Sequence, residues 1–221
     1  MFTYFLDIPE ALKHRGCLSV STLNVITHRR VSEFEPGMRC FICFDVEDEG
    51  VLDRLVEAQR MILRSGVRMK PVERQNLHIT LRFLGEVPPP MVEAVKSEMA
   101  GVSFEAFEAH IRGVGAFPRP SSPRVIWAGI AEGGERLRAV YEELERRLRK
   151  LGFRPEGREY HPHITLMRVK GPRNPRLLKA LMELSDYEFG TVRCEALRLK
   201  KSTLTPRGPI YETLFEVRAS G

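Results

Sequence analysis

Cysteine is scarce in this chain, with four residues at 17, 40, 43 and 194 and no spacing that reads as a disulfide framework. Cys40 and Cys43 share one apolar run, where an odd spacing sends the two thiols to opposite faces of a strand, so they read as reduced core or surface residues. Long apolar runs are lacking too. None approaches a membrane span, and the N-terminus shows no charged start followed by an apolar core and a small-residue cleavage site. These absences argue against a disulfide-stapled secreted domain and a helical membrane protein, and the expected location is the cytoplasm. Acidic residues are outnumbered, 29 Asp and Glu against 35 Lys and Arg, giving a net charge of +6 and a pI near 9.3. That bias suits an anionic partner such as RNA. With 29% charged residues it also suits the surface of a heat-adapted protein.

One tetrapeptide is present twice: His78-Ile79-Thr80-Leu81 and His163-Ile164-Thr165-Leu166. Both copies sit in apolar runs that read as β-strands, Leu77 to Leu84 and His163 to Val169, where successive side chains point to opposite faces. Each histidine therefore shares a face with its threonine. In the first copy Leu77, Ile79, Leu81 and Phe83 make the other, core-facing side. One such pair is an ordinary strand threonine beside a satisfied histidine; two at a fixed interval are not.

The interval is 85 residues, and other features recur at it. Phe41 maps to Ile126 and Cys43 to Ala128 in two apolar strands. Leu52, Leu55, Val56 and Leu63 map to Leu137, Val140, Tyr141 and Leu148 in two amphipathic helices, and Phe104 maps to Phe189 at the start of two further strands. A period this long means two similar lobes rather than a solenoid. The expected fold is α+β and internally duplicated: two pseudo-twofold-related lobes, each with a mainly antiparallel sheet and helices outside, and an active-site cleft between them. Residues 38–221 are read as this single bilobal domain, expected to act as a monomer. Residues 1–37 have no strong period. They are read either as a flexible extension or, preferably, as the product of an upstream start choice, with Met38 the natural start.

Along the chain, Arg39 to Asp45 reads as a buried strand, and Asp48 caps a helix that carries Leu52, Leu55, Val56, Ile62 and Leu63 to the core and stops near Ser65-Gly66. A basic connection, Arg68 to Arg74, leads to the first His strand. Prolines 88 to 90 open a helix running to about Ala100. Phe104 to Val114 and Arg124 to Ile130 read as strands, joined by a Pro-rich loop carrying Arg119. Leu137 to Leu151 is a strongly patterned helix ended by Gly152. After the second His strand come a helix from Pro175 to Leu184 and two strands, Thr191 to Leu204 and Pro209 to Val217.

Two imidazoles on one site suit acid–base attack at phosphorus: one neutral to take a proton from water, the other protonated to serve the leaving oxygen. Threonine hydroxyls and an arginine would hold the non-bridging oxygens. This chemistry requires no metal. The duplicated H-x-T motif resembles the 2H phosphoesterase superfamily. The flanks H-I-T-L-R-F-L-G-E from His78 and K-S-T-L-T-P-R-G-P-I-Y-E from Lys201 resemble its RNA 2′,3′-cyclic phosphodiesterase branch, once called 2′-5′ RNA ligases.

The resemblance covers Met38 to about Val217 and implies that RNA 2′,3′-cyclic phosphate ends, tRNA fragments among them, are opened to 2′-phosphates without a cofactor. It implies His78 as proton donor, His163 as proton acceptor, and Thr80, Thr165 and Arg168 as phosphate-binding. Strand parity points Arg168 away from the cleft unless the strand bulges. Phe83, Trp127 and Tyr211 are candidate base-stacking surfaces, although spacing alone puts Phe83 in the core. Three rival readings are a metal site built on His161, His163 and His78, 2′-5′ joining of RNA at the same site, and a non-catalytic RNA-binding module.

Overall fold

The structure, a computed structural model, describes residues 37–157, 159–206 and 208–220. The expectations for residues 1–36 lie outside these described residues. Thirteen elements position the site: strands β1 (Met38–Asp45), β2 (Met69–Pro71), β3 (His78–Val87), β4 (Phe107–Phe117), β5 (Val125–Glu132), β6 (His163–Val169), β7 (Glu188–Cys194), β8 (Ala196–Leu204) and β9 (Pro209–Arg218), and helices α1 (Glu49–Leu63), α2 (Pro89–Ala100), α3 (Gly134–Lys150) and α4 (Pro175–Glu183).

Local chemistry sets the helix starts. Asp48 accepts from the Val51 amide at 2.8 Å, and Asn174 accepts from that of Leu177 at 2.8 Å, with Pro175 just inside α4. Gly133, before α3, has φ +80°, and a Cβ there would meet the Glu108 carbonyl at 2.3 Å, so both backbone and space demand glycine.

Among the described residues the strands form one antiparallel sheet in the order β7-β4-β5-β6-β3-β1-β8-β9, with β2 added beside β6. The pseudo-twofold runs through its centre, where β6 and β3 meet at the pair Ile164 and Ile79. The two halves exchange strands: β4, last in the first repeat, pairs with β5 of the second, and β8 of the second pairs with β1 of the first. One side of the sheet packs on the helices through Ile42, Phe44, Ile79, Leu81, Ile164 and Leu166 from the strands and Leu52, Leu55, Leu137 and Leu144 from α1 and α3, all in a single core. Each such side chain contributes roughly 1.5–3 kcal/mol on burial.

Four elements differ from the expectation. The strand read as Phe104 to Val114 runs Phe107–Phe117, so Phe104 precedes it, whereas Phe189 lies inside β7. Thr191 to Leu204 is two strands broken at Glu195, because β7 pairs with β4 at one end of the sheet and β8 with β1 near the other. The buried series Val192, Cys194, Ala196 changes phase to Leu197, Leu199 at that point. The basic connection holds the short strand β2, too brief to show a period of its own. Leu63, placed in the core by helical spacing, is 36% exposed at the end of α1. No helix among the described residues is long and apolar enough to cross a membrane.

Candidate active site

His78 and Thr80 on β3, and His163 and Thr165 on β6, alternate with Ile79, Leu81, Ile164 and Leu166, which are buried on the helix side. The four polar side chains therefore emerge on the opposite face. The antiparallel register around Ile79 and Ile164 turns His78 toward Thr165 and Thr80 toward His163. The motifs sit side by side at the centre of the sheet, with the histidines on diagonal corners.

Each imidazole is fixed by the same backbone device. His78 Nδ1 lies 2.8 Å from the Asn76 carbonyl, and His163 Nδ1 lies 2.6 Å from the His161 carbonyl. A carbonyl only accepts, so each Nδ1 carries the proton and each Nε2 presents a lone pair to the site. Asn76 is itself anchored, its amide donating to the Pro209 carbonyl at 3.0 Å.

The surroundings of the two rings differ. Phe41 (4.9 Å between ring centroids) and Tyr211 (5.6 Å) flank His78. Desolvation there pushes its pKa from 6.5 to about 4, against the opposing pull of the Asn76 carbonyl and of Asp45. Asp45 is the cross-strand partner of His78. Its carboxylate accepts from Lys200 Nζ at 2.6 Å and Arg198 Nη1 at 2.8 Å, and Arg198 also pairs with Glu47 and Glu216. Phe117 (5.2 Å) and Trp127 (6.1 Å) flank His163. Its pKa is also lowered, first by desolvation and further by the charges of His161 and Arg168, against the opposing pull of the His161 carbonyl.

Arg168 reaches this face through a bulge. Across β5 and β6, Trp127 pairs with Thr165 but Ile126 with Met167, leaving Leu166 as the extra residue. Parity flips, Met167 enters the core, and Arg168 is exposed on the histidine side. The first repeat has the same bulge. Thr80 pairs with Cys43 but Arg82 with Ile42, so Leu81 is extra. This corrects the core placement of Phe83, which is 58% exposed, with its ring 6.1 Å from Phe41 on the active face. The 85-residue interval held that signal, since Phe83 maps to Arg168.

The outer strands register differently. Asp45 pairs with His78, but Gly129 pairs with His163, an interval one residue less than that of the histidines. The correspondences Phe41 to Ile126 and Cys43 to Ala128 are therefore corrected: Phe41 and Cys43 face the site with Trp127, while Ile126 and Ala128 belong to the helix-side core. Trp127 lies flat against Gly115, where a Cβ would meet the indole at 2.2 Å. The structure thus brings His78, Thr80, His163, Thr165, Arg168, Phe83, Trp127 and Tyr211 to one face. It adds Phe41, Asp45, Lys200 and Arg198, which pattern reasoning missed because they arrive by long-range strand pairing, and Phe117, which lies beyond the strand expected to end at Val114. The rings of His161 and His163 are 6.4 Å apart, and among the described residues no three His, Cys, Asp or Glu side chains converge to hold a metal.

A family model described as LigT-like phosphoesterase matches the chain twice, over residues 46–127 and 129–211, one match per repeat. The chain belongs to the LigT-like phosphoesterase family. Relatives in the family include proteins named RNA 2′,3′-cyclic phosphodiesterase from Aeropyrum pernix, 48% identical over 77% of this chain and 97% of that one, and from Archaeoglobus fulgidus, 42% identical over 80% and 98%. A crystal structure of a Thermus thermophilus protein superposes with a TM-score of 0.66 at 32% identity, covering 82% of this chain and 97% of that one. Escherichia coli LigT, crystallised with 3′-AMP, gives 0.66 at 21% identity over 85% and 100%, a likeness of fold.

Proposed function

We propose that this protein is an RNA 2′,3′-cyclic phosphodiesterase, opening RNA 2′,3′-cyclic phosphate ends to 2′-phosphomonoesters by metal-independent acid–base catalysis, with His163 as proton acceptor and His78 as proton donor. The family membership and the names of its relatives support the reaction class. The observation that carries the mechanism is the matched pair of imidazoles, each with Nδ1 bound to a backbone carbonyl and Nε2 free, flanking two threonine hydroxyls on adjacent strands.

The charges beside each ring support the division of roles. His161 and Arg168 disfavour an imidazolium at His163, which suits a base, whereas at His78 the pull of Asp45 toward one exceeds the opposing push of Lys200, which suits an acid. Before substrate binds, burial outweighs Asp45 and His78 is neutral at pH 7. A bound phosphate anion between the rings adds the negative charge that restores its proton, and the two histidines then titrate as one unit. His163 would draw the proton from water as it attacks, His78 would return one to the departing 3′-oxygen, and Thr80, Thr165 and Arg168 would hold the non-bridging oxygens. Phe83, Trp127 and Tyr211 are the flat surfaces offered to a base. We place this activity in the cytoplasm, in a monomer, with tRNA fragments among its substrates.

The test is to incubate RNA ending in a 2′,3′-cyclic phosphate with the protein, with and without excess chelator, and identify the product end. A 2′-phosphate formed at the same rate in both is expected. A 3′-phosphate would overturn the role assignment, and loss of activity restored by a divalent ion would overturn the metal-free mechanism.

A further inference from the structure

On β2 and β6, beyond the bulge that delivers Arg168, basic side chains line up on one face. Lys70 is the cross-strand partner of Arg168. One step outward, the Arg68 carbonyl accepts from the Lys170 amide at 2.9 Å, and the Arg68 guanidinium donates to the Lys170 carbonyl at 3.2 Å, which stacks Arg68 and Lys170 as the next pair. Positions 68 and 70, and 168 and 170, are each two apart, so all four side chains share the face of His163 and Thr165. All four are exposed.

Like charges set directly opposite each other on an antiparallel ladder are destabilising. Some exposed arginines, Arg112, Arg136, Arg138, Arg193 and Arg218 among them, have a carboxylate within ion-pair reach, while among the described residues others such as Arg60, Arg64, Arg124 and Arg149 have none; what marks the group on β2 and β6 is its like-charge pairing across one ladder. Among the described residues none of the four on β2 and β6 has such a carboxylate, and that of the nearby Glu73 is taken by the amides of Gln75 and Asn76. A short strand added to the sheet thus carries uncompensated positive charge leading away from the site. Lys70 stands about 4.8 Å from Arg168 across the ladder, and Lys170 about 6.6 Å further along β6.

We propose that this ladder is the docking surface for the body of a single-stranded RNA, gripping the phosphates on the 5′ side of the end that is processed. The inference rests on the cyclic-phosphate reading of the site and deepens it. A 2′,3′-cyclic phosphate is the last group of its strand, so every other phosphate lies on its 5′ side. An RNA strand running over the face of β6 and β2 past Arg168 meets Lys70, then Arg68 and Lys170. No base-reading group is needed, and the substrate class is an oligonucleotide end of any sequence rather than a cyclic mononucleotide.

The experiment compares the wild-type protein with K70Q/K170Q and with K96Q/K150Q, a control losing the same charge from lysines paired to Glu93 and Glu98. Binding of a labelled RNA of about ten nucleotides with a 2′-phosphate end is followed by anisotropy as salt rises from about 50 to about 300 mM. The slope of log K against log salt should become shallower by about 1.4 in K70Q/K170Q, at about 0.7 for each phosphate no longer neutralised, and should hold in the control. At low salt, kcat/KM of K70Q/K170Q should fall about tenfold on an RNA with a cyclic end while that on a 2′,3′-cyclic mononucleotide holds. Equal slopes in the two variants, or equal losses on the two substrates, would overturn the docking surface. Failure of the wild-type protein to open either substrate would overturn the cyclic-phosphate reading instead, and the slopes would still decide the surface.

Discussion

Acid should destabilise this protein through His78. In the folded chain, burial against Phe41 and Tyr211 sets its pKa at about 4, whereas the unfolded chain takes up that proton near 6.5. Between those values the unfolded state binds more protons, so falling pH favours unfolding; above 6.5 both states are neutral and the contribution vanishes. Integrating the two titrations from pH 7 to pH 5 gives a loss of about 1.8 kcal/mol, roughly a twentyfold change in the folding equilibrium. His163 shifts in the same direction and adds to the slope. His78→Gln removes the titration but keeps a polar side chain of similar reach. Urea unfolding of both proteins at pH 7, 6 and 5 isolates the contribution: the variant should gain about 1.8 kcal/mol relative to wild type on acidification. Stability curves that stay parallel across the window would show that His78 titrates normally in the folded protein and would refute the desolvation argument.

Other outcomes follow from the same geometry. His78→Ala and His163→Ala should each lower turnover by about two to four orders of magnitude, and the double variant by much less than the product, since the two act as a unit; near-normal turnover in either single variant would end the two-histidine mechanism. Arg82, buried with Glu145 at 2.7 Å and also paired with the exposed Glu156 at 2.7 Å, occupies the position of Met167 in the other repeat. Arg82→Met should cost about 3–5 kcal/mol by stranding Glu145, and adding Glu145→Leu should recover most of it, both read from urea midpoints. Gly115→Ala should push Trp127 off its seat, shifting the emission of the single tryptophan and costing about 1–3 kcal/mol; an unchanged spectrum would contradict the packing.

The parts legible in the sequence are those governed by local period. His78, Thr80, His163 and Thr165 alternate with apolar neighbours, so their shared face can be read from the strand repeat alone, and the 85-residue interval exposes the duplication. The bulges at Leu81 and Leu166 carry no glycine or proline to announce them, so parity inverts the facing of Phe83 and admits Arg168 to the site only on the condition of a bulge. Asp45, Lys200 and Phe117 are invisible for other reasons. Asp45 and Lys200 are unremarkable strand residues until β8 lands beside β1, a pairing no local signal encodes, while Phe117 reads as part of the loop after Val114, although β4 continues to it.

The exchange of β4 and β8 between the halves has a mechanical meaning. Neither repeat owns the strand that completes its own half of the sheet, so a chain cut in the Pro118–Pro123 connection would leave two fragments, each with an open strand edge that only the other can close. Duplicated modules usually risk drifting apart on a hinge; here each is stitched into its neighbour. The two histidines stand on β3 and β6, where the halves of the sheet meet at the single pair Ile79 and Ile164, so it is the exchanged outer strands rather than that seam that tie the repeats together.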